Sequence, residues 1–301
     1  MTEVCLPGTG GMVPLPDRWL TCCWIEQQGC AVLIDCGEGT QIALKEAGCR
    51  LSRLDTLLIT HFHADHIAGL PGLLLTLGNS GKTSPLTIIG PEGLNSIVTS
   101  LTCIAPALPF PLEILEKDSS HGGEWHINNI KISWLPLNHR IPCFGYSILY
   151  SRKPIFNPQK AAVLGIPKTL YKTLHDGNSV MYNGQLIKPE TVLDGQRAPI
   201  KICYSTDTLP IEALVEFASG ADLLISEGMY GKEEMRRKMT DKMHMLFSDS
   251  AKIAKQADVG LLWLTHFSPA LTNPDEQLDS ARQIFGNTVV AYDGIRANIV
   301  K

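Results

Sequence analysis

Three histidines and an aspartate fall within six residues, His61-Phe62-His63-Ala64-Asp65-His66, directly behind the apolar run Leu57-Leu58-Ile59. No other stretch restricts the chain as tightly. A buried strand that opens into a loop can aim several short side chains at one space. His61 and His63 are two residues apart and so point to the same side of extended backbone. Asp65 and His66 follow at the start of a predicted helix, where they can converge on a neighbouring point. Imidazole and carboxylate are suitable ligands for a borderline cation such as zinc. The plainer reading is a solvated histidine-rich turn, but the buried run ahead of it favours the metal.

Six residues cannot close two metal sites alone, and the chain offers further candidates. His139 follows the apolar run Ile130–Leu135, Asp207 follows Ile200–Ser205, and His266 follows Leu261–Thr265. A lone His or Asp at a strand end is more often a cap than a ligand. Their shared position after strands is what raises them. Ligands at one edge of a sandwich would meet at one site.

Short apolar runs between Gly, Pro and Asn predict strands at Ala31–Asp35, Thr56–Thr60, Leu86–Ile89, Ile130–Leu135, Gly145–Tyr150, Ile200–Ser205, Leu223–Ser226, Gly260–Thr265 and Thr288–Tyr292. Helical periodicity predicts Thr40–Ala47, Ile67–Leu77, Leu94–Leu101, Ile211–Ala218, Lys232–His244, Ser248–Gln256 and Asp275–Phe285. Strands interleaved with helices fit two packed sheets flanked by helices, a four-layer αββα sandwich of the α/β class, as a single domain over 1–301. Residues 151–199 break the rhythm. They are polar, with turn signals at Asp176-Gly177-Asn178 and Tyr182-Asn183-Gly184, and read as an arm inserted between two core strands.

An apolar fraction of 44% excludes disorder. The run Leu70–Leu77 is far too short to span a bilayer. The N-terminus lacks a basic segment ahead of an apolar one, so no secretory signal is expected. Nine cysteines without a C-x-x-C pair point to a reducing compartment, all nine read as small buried hydrophobes. The expectation is a soluble, cytoplasmic protein with no membrane contact. Net charge is −4, which argues against a general nucleic-acid binder. The arm, however, carries seven Lys/Arg and three acids, +4 on a body of −8, which suggests a local anionic partner or an ordinary solvated face.

These residues resemble a known family. H-x-H-x-D-H followed by a distant His, Asp and His is the pattern of the metallo-β-lactamase superfamily. Leu6-Pro7-Gly8-Thr9-Gly10-Gly11, Asp35-Cys36-Gly37-Glu38-Gly39-Thr40-Gln41, Gly69-Leu70-Pro71-Gly72-Leu73-Leu74, Asp207-Thr208, Thr265-His266-Phe267-Ser268 and Tyr292-Asp293-Gly294 resemble the ribonuclease Z family, tRNA 3′-processing endonucleases. The likeness runs from about Leu6 to Val300, at the length of the short bacterial form. It implies the metallo-β-lactamase sandwich and two Zn2+, with Mn2+ or Fe2+ as substitutes. His61, His63, His139 and Asp207 would hold one ion. Asp65, His66, His266 and a bridging Asp207 would hold the other. Asp65 would also orient or accept the proton of a metal-activated water. His244, held by Glu227, would donate a proton to the leaving 3′ oxygen. The plainer readings are a strand-end cap for Glu227 and a surface helix residue for His244. The implied reaction cuts a tRNA precursor 3′ of the discriminator base. The implied assembly is a homodimer in which the arm of one subunit reaches RNA on the other.

The Gly8–Gly11 turn could form an anion nest or merely permit close packing. Lys232, Arg236, Arg237, Lys238 and Lys242 could touch RNA backbone or simply be solvated. Some positions depart from the family pattern. Lys168-Thr169 stands where the arm has a Gly-Pro tip. Pro269-Ala270-Leu271 follows Ser268 where Arg-Tyr is usual. Ser226 replaces a His, and Ala64 a Gly. None is a ligand in the pattern. The alternatives are a phosphodiesterase for small phosphodiesters such as cyclic nucleotides, another metal-dependent hydrolase such as a thioesterase or lactamase, and an RNA-binding protein with purely structural metals.

Overall fold

Along the first strand, Val4 and Leu6 face one apolar layer while Cys5 faces another, and all three are buried. The same split recurs at Cys23 and Ile25 against Cys22 and Trp24, and at Val32 and Ile34 against Ala31 and Leu33. A strand buried on both faces belongs to a sheet with a layer on each side. The computed structural model, which describes residues 2–105, 107–127 and 129–301, bears this out.

The first sheet has the order β16-β1-β2-β3-β4-β5-β6. Its strands are β1 Thr2–Gly8, β2 Cys22–Gln27, β3 Cys30–Ile34, β4 Leu54–Leu58, β5 Leu86–Pro91, β6 Leu112–Lys117 and β16 Ile295–Ile299. The second has the order β15-β14-β13-β12-β9-β8-β7. Its strands are β7 Gly123–Ile127, β8 Ile130–Pro136, β9 Phe144–Tyr150, β12 Ile200–Ser205, β13 Leu223–Glu227, β14 Leu262–Thr265 and β15 Thr288–Val290. Between the sheets lies one core, with Ile25, Ile34, Trp134, Tyr146 and Tyr204 among its members. Helices α1 Thr40–Glu46, α3 Leu70–Asn79 and α4 Leu94–Thr102 contribute to the core on the outside of the first sheet. Helices α7 Glu212–Ala218, α9 Phe247–Gln256 and α10 Asp279–Arg282 do so for the second. The order helix, sheet, sheet, helix is the four-layer sandwich expected.

All nine expected strands are present, shifted at their ends by up to two residues. Strands β1, β2, β6, β7 and β16 of the two sheets escape the sequence reading, as do two short strands of the insertion. β6, β7 and β16 are at or near sheet edges and alternate apolar with charged residues such as Glu113, Glu124 and Arg296, so no apolar run announces them. Expected helix 67–77 is two, α2 Ala64–Ile67 and α3, separated by Ala68-Gly69. Expected helix 232–244 is corrected to a 3₁₀ turn Glu233–Met235 and α8 Arg236–Lys242, because Met243 takes a left-handed φ of 63° and ends it. Expected helix 275–285 is corrected to a 3₁₀ turn Pro274–Gln277 and the short α10. Gln277 there accepts a hydrogen bond from the Gly231 amide, which anchors the turn. The cysteines need correction too. Six are buried, but Cys30 and Cys49 are half-buried and Cys103, capping α4, is exposed.

The insertion leaves from the end of β9 and returns at the start of β12, where Tyr150 pairs with Ile200. It holds α5 Pro158–Val163, α6 Tyr171–His175 and the hairpin β10 Val180–Tyr182 with β11 Gln185–Ile187, around its own small core of Ala161, Ile166, Leu174, Val180 and Val192.

Strand direction decides where chemistry can gather. β12, β13, β14 and β15 run parallel, and β9 runs against β8 and β12. The ends of β8, β12, β13 and β14 therefore share one edge with the start of β9. In the first sheet β1, β3 and β4 end at a common edge as well. Parallel bridges from Gly10 to Leu20 and Phe267 join the two edges.

Two glycine motifs hold the loops there. The Cys36 amide donates to the His66 carbonyl at 2.8 Å, and the Gly69 amide to the Cys36 carbonyl at 2.9 Å. A Cβ on Gly37 would sit 2.1 Å from the Asp65 carbonyl oxygen, and one on Gly69 would sit 1.9 Å from that of Gly37. Backbone cannot give way as a side chain can. Gly37→Ala should cost about 1–3 kcal/mol, lowering the melting temperature by roughly 2–4 °C per kcal/mol. Gly286→Ala, with nothing within 4 Å, should be near neutral. Equal melting temperatures for the two variants would contradict the packing described.

Candidate metal centre

The joined edge collects every residue singled out as a ligand. His61, His63, Asp65 and His66 come from the loop after β4 and from α2. His139 follows β8, Asp207 follows β12, Glu227 ends β13 and His266 follows β14. Asp207 and His266 have positive φ, 44° and 61°. A left-handed residue straight after a strand turns the chain sharply, and such conformations concentrate at functional sites.

The donor atoms form two groups. In the first, His61 Nε2 lies 3.0 Å from His63 Nδ1, which lies 3.3 Å from His139 Nε2. Asp207 Oδ2 faces this group, 3.6 Å from His61 Nε2 and 3.8 Å from His139 Nε2. In the second, His66 Nε2 and His266 Nε2 are 3.2 Å apart, and each is 3.4 Å from Asp65 Oδ2. Asp207 Oδ1 faces this group, 3.5 Å from His66 Nε2 and 3.2 Å from His266 Nε2. Four ligands at zinc distances of roughly 2.0–2.1 Å define a tetrahedron with edges of about 3.3–3.4 Å. These separations, 3.0–3.8 Å, lie near that edge, and the two oxygens of one carboxylate divide between the groups.

Hydrogen bonds behind the rings fix where the lone pairs point. His66 Nδ1 donates to Asp35 Oδ2 at 2.8 Å. His139 Nδ1 donates to the Met243 carbonyl at 3.3 Å. Thr60 Oγ1 gives its own proton to Asp35, so it accepts one from His61 Nδ1 at 3.0 Å. In each neutral ring the inner Nε2 is then an acceptor aimed at other acceptors. Such a cluster needs a cation at its centre. The residues present fit a metal pair.

Charge is arranged to the same end. Burial opposes ionisation of Asp65 and Asp207, yet the surrounding histidines hold both well below the usual carboxylate range. Burial disfavours a proton on His66, but Asp207 and Asp35 outweigh it and hold its pKa well above the ordinary value. A field that favours a proton there favours any cation. Burial pushes His61 well down and His139 down to about 4, which keeps those rings neutral and free to ligate.

Glu227, Asp207, His244 and His266 form a third cluster by proximity. Its donors are already spent. Glu227 Oε1 accepts from the Thr208 amide at 2.6 Å, and Oε2 accepts from His244 Nδ1 at 2.8 Å. Glu227 is therefore both a strand-end cap and the partner of His244. His244 lies in the loop after α8, not on a helix surface, and its other nitrogen is left for the cavity. Burial opposes its proton, but Glu227 dominates and raises its pKa to about 9.

The opening above the metal groups is a cavity of about 210 Å³ lined also by Met12, Arg140 and Lys242. Three contributors escape the sequence reading. Asp35, quoted only as part of a glycine motif, anchors both Thr60 and His66. The Met12 amide donates to Asp65 Oδ2 at 2.7 Å. Arg140 faces the cavity with its guanidinium bound to the Asp241 carbonyl. A charged residue directly after His139 is the one signal that could have found it. The Gly8–Gly11 turn is not an anion nest, since the amides of Thr9, Gly10 and Gly11 all donate to protein carbonyls. A Cβ on Gly11 would lie 2.7 Å from the His266 ring, so the turn serves close packing. Among the five basic residues near α8, Arg236 is bound to Glu233 and Asp249, while Lys238 and Lys242 line cavities.

The profile of the Anti-Pycsar protein Apyc1 family matches residues 2–102. The whole chain is similar to ribonuclease Z of Clostridium acetobutylicum, 45% identical over 298 residues, covering 97% of this chain and 96% of that one. It is similar to ribonuclease Z of Agathobacter rectalis, 47% identical over 293 residues, with 97% and 96% covered. Among solved structures it resembles the short form of human tRNase Z, with a TM-score of 0.71 over 99% of this chain and 100% of that one, at 24% identity. At that identity the likeness is one of fold.

The His244–Glu227 pair can be tested directly. Glu227→Gln removes the negative charge that favours the imidazolium, so the His244 pKa should fall from about 9 by roughly 1–3 units. Titration of the His244 ring protons by NMR measures this. An unchanged midpoint would mean that Glu227 does not set its charge.

Proposed function

Since this chain belongs to the ribonuclease Z family, we propose that it cleaves tRNA precursors on their 3′ side, as a cytoplasmic enzyme using two zinc ions. It is a metal-dependent hydrolase of the metallo-β-lactamase fold. The observation that carries the proposal is the pair of donor groups sharing Asp207, set beside the His244–Glu227 pair.

His61, His63, His139 and Asp207 would hold one ion, and Asp65, His66, His266 and Asp207 the other, with Mn2+ or Fe2+ as substitutes. Bound ions of this kind lower the pKa of water to roughly 7 and neutralise phosphate oxygens. The chain's own groups do the rest. Asp65, kept ionised by His266 and His66 and oriented by the Met12 amide, accepts the proton of the attacking water. His244, whose proton the Glu227 carboxylate favours, gives it to the departing 3′ oxygen. Glu227 holds that ring and its charge. Arg140 and Lys242 flank the cavity where an anionic backbone must enter.

Residues 151–199 would act as an RNA-binding arm on a single catalytic domain. Lys153 and Lys160 pair with Asp176 and Asp194, whereas Lys168, Lys172, Lys188 and Arg197 are exposed and form no ion pair among the described residues. The arm leaves β9 and rejoins β12 at the edge opposite the metal groups, roughly 20 Å away by the length of β12. That placement favours service to RNA held by a second copy, and so a homodimer. Among the described residues no helix is long and apolar enough to cross a membrane. Buried unpaired thiols support a reducing compartment.

Two measurements test this reading. Asp65→Ala should lower the rate of cleavage of a 3′-extended tRNA by roughly 10²–10⁴-fold or more. Replacing residues 152–198 by a short turn should weaken tRNA cleavage strongly and flatten its salt dependence, by roughly 0.9 in the log–log slope for each phosphate the arm no longer neutralises. Hydrolysis of bis(p-nitrophenyl) phosphate should stay nearly intact. Unchanged tRNA affinity and salt slope would remove the arm from RNA binding and favour a small phosphodiester as substrate.

A further inference from the structure

A second cavity of about 230 Å³ adjoins the metal cavity, and Met12 and Lys242 form part of the wall of both. Its floor is Met229, Tyr230, Met239 and Ser268, all buried. Its rim includes Lys238 and Ala270, both exposed. Nothing in the metal arrangement uses this space. At about 30 Å³ per water it is large enough for a heteroaromatic ring.

Its chemistry is selective. Three thioethers, from Met12, Met229 and Met239, line the cavity together with one aromatic ring, Tyr230. Sulfur contacts to aromatic faces are favourable, and unbranched methionine adapts to rings of different outline. No carboxylate lines the cavity. Lys238 and Lys242 stand one turn apart on α8, and so on one face of it. The Lys238 ammonium lies 5.3 Å from the Tyr230 ring centre. At the floor the Tyr230 and Ser268 hydroxyls are 2.6 Å apart. One of them donates to the other, which leaves the second proton free for an acceptor on a ring edge. The cavity offers an apolar slot with a hydroxyl pair at its floor and a cationic rim. It is continuous with the place where a phosphodiester must be cut.

The geometry points to a nucleobase subsite: the slot between Met12, Met229, Tyr230 and Met239 receives the base of a nucleotide adjoining the scissile phosphate, with Lys238 and Lys242 beside its phosphates. This rests on the RNA-cleaving function proposed above. The methionines make the slot tolerant of base identity, so it measures the presence of a base more than its sequence.

The test uses 3′-extended tRNA with a single abasic nucleotide immediately 5′ or 3′ of the cleavage point. For the unmodified enzyme, loss of the base at one of these positions should lower kcat/KM about tenfold, the scale of one stacked base. Ala270→Trp, at the exposed rim, should fill the slot. Its kcat/KM for intact RNA should drop about tenfold, and the abasic penalty should shrink to less than twofold. Lys238→Gln leaves the slot open, so it should keep the abasic penalty while reducing the log–log salt slope by about one. No abasic penalty at either position, or the same penalty in Ala270→Trp as in the parent, would overturn the subsite. The latter is also the result expected if the slot seats an apolar side chain of a protein partner. If the parent hydrolyses bis(p-nitrophenyl) phosphate but cuts no tRNA, the underlying function fails and the subsite with it.

Discussion

Asp207 is a carboxylate with 3% of its surface exposed, facing ring nitrogens of His61, His66, His139, His244 and His266 at 3.2–4.0 Å. A buried charge costs several kcal/mol unless it is met by opposite charge and hydrogen bonds. The loops at this edge are therefore built around that one group. Thr206 donates to its Oδ1, histidines from four other segments surround it, and both donor groups are incomplete without it. Neighbouring groups divide their labour accordingly. Asp35 lies behind His66 and Thr60 and orients, whereas Asp207 lies in front and joins.

Topology makes this convergence cheap. Parallel strands end at one edge, so residues far apart in sequence arrive together without long excursions. His66 and His266 are 200 residues apart and 3.2 Å apart in space. The same logic sends the 151–199 insertion to the other edge, away from the donor groups. Between the two sheets, the Gly10–Phe267 bridge ties the edge loops so that His266 packs against Gly11.

The residues at the metal edge were legible because they sit at or shortly behind strand ends, Asp65 and His66 in the short helix that follows β4, and strand ends can be read from apolar runs. Asp35 was harder to place, since its role depends on which ring it meets across the loop. Met12 acts through its amide, which no side-chain pattern reveals. Helix α8 ends at Met243, a residue that sequence rules do not mark as a left-handed cap. The edge strands β6, β7 and β16 were missed because one face of each is polar. The four layers were legible nonetheless, because the central strands are apolar on both faces. The slot beside the centre was not, since Met12, Met229, Met239 and Pro269 come from four separate segments.

The joining role of Asp207 is the claim on which the rest depends. Zinc titration of chelator-stripped protein, read against a competing metal indicator, measures it most directly. Two tight equivalents per chain are expected for the parent, and one for His139→Ala. Asp207→Ala should weaken both sites together, since it removes an oxygen from each. One equivalent in the parent, or an Asp207→Ala variant that loses one site and keeps the other at full affinity, would contradict the account.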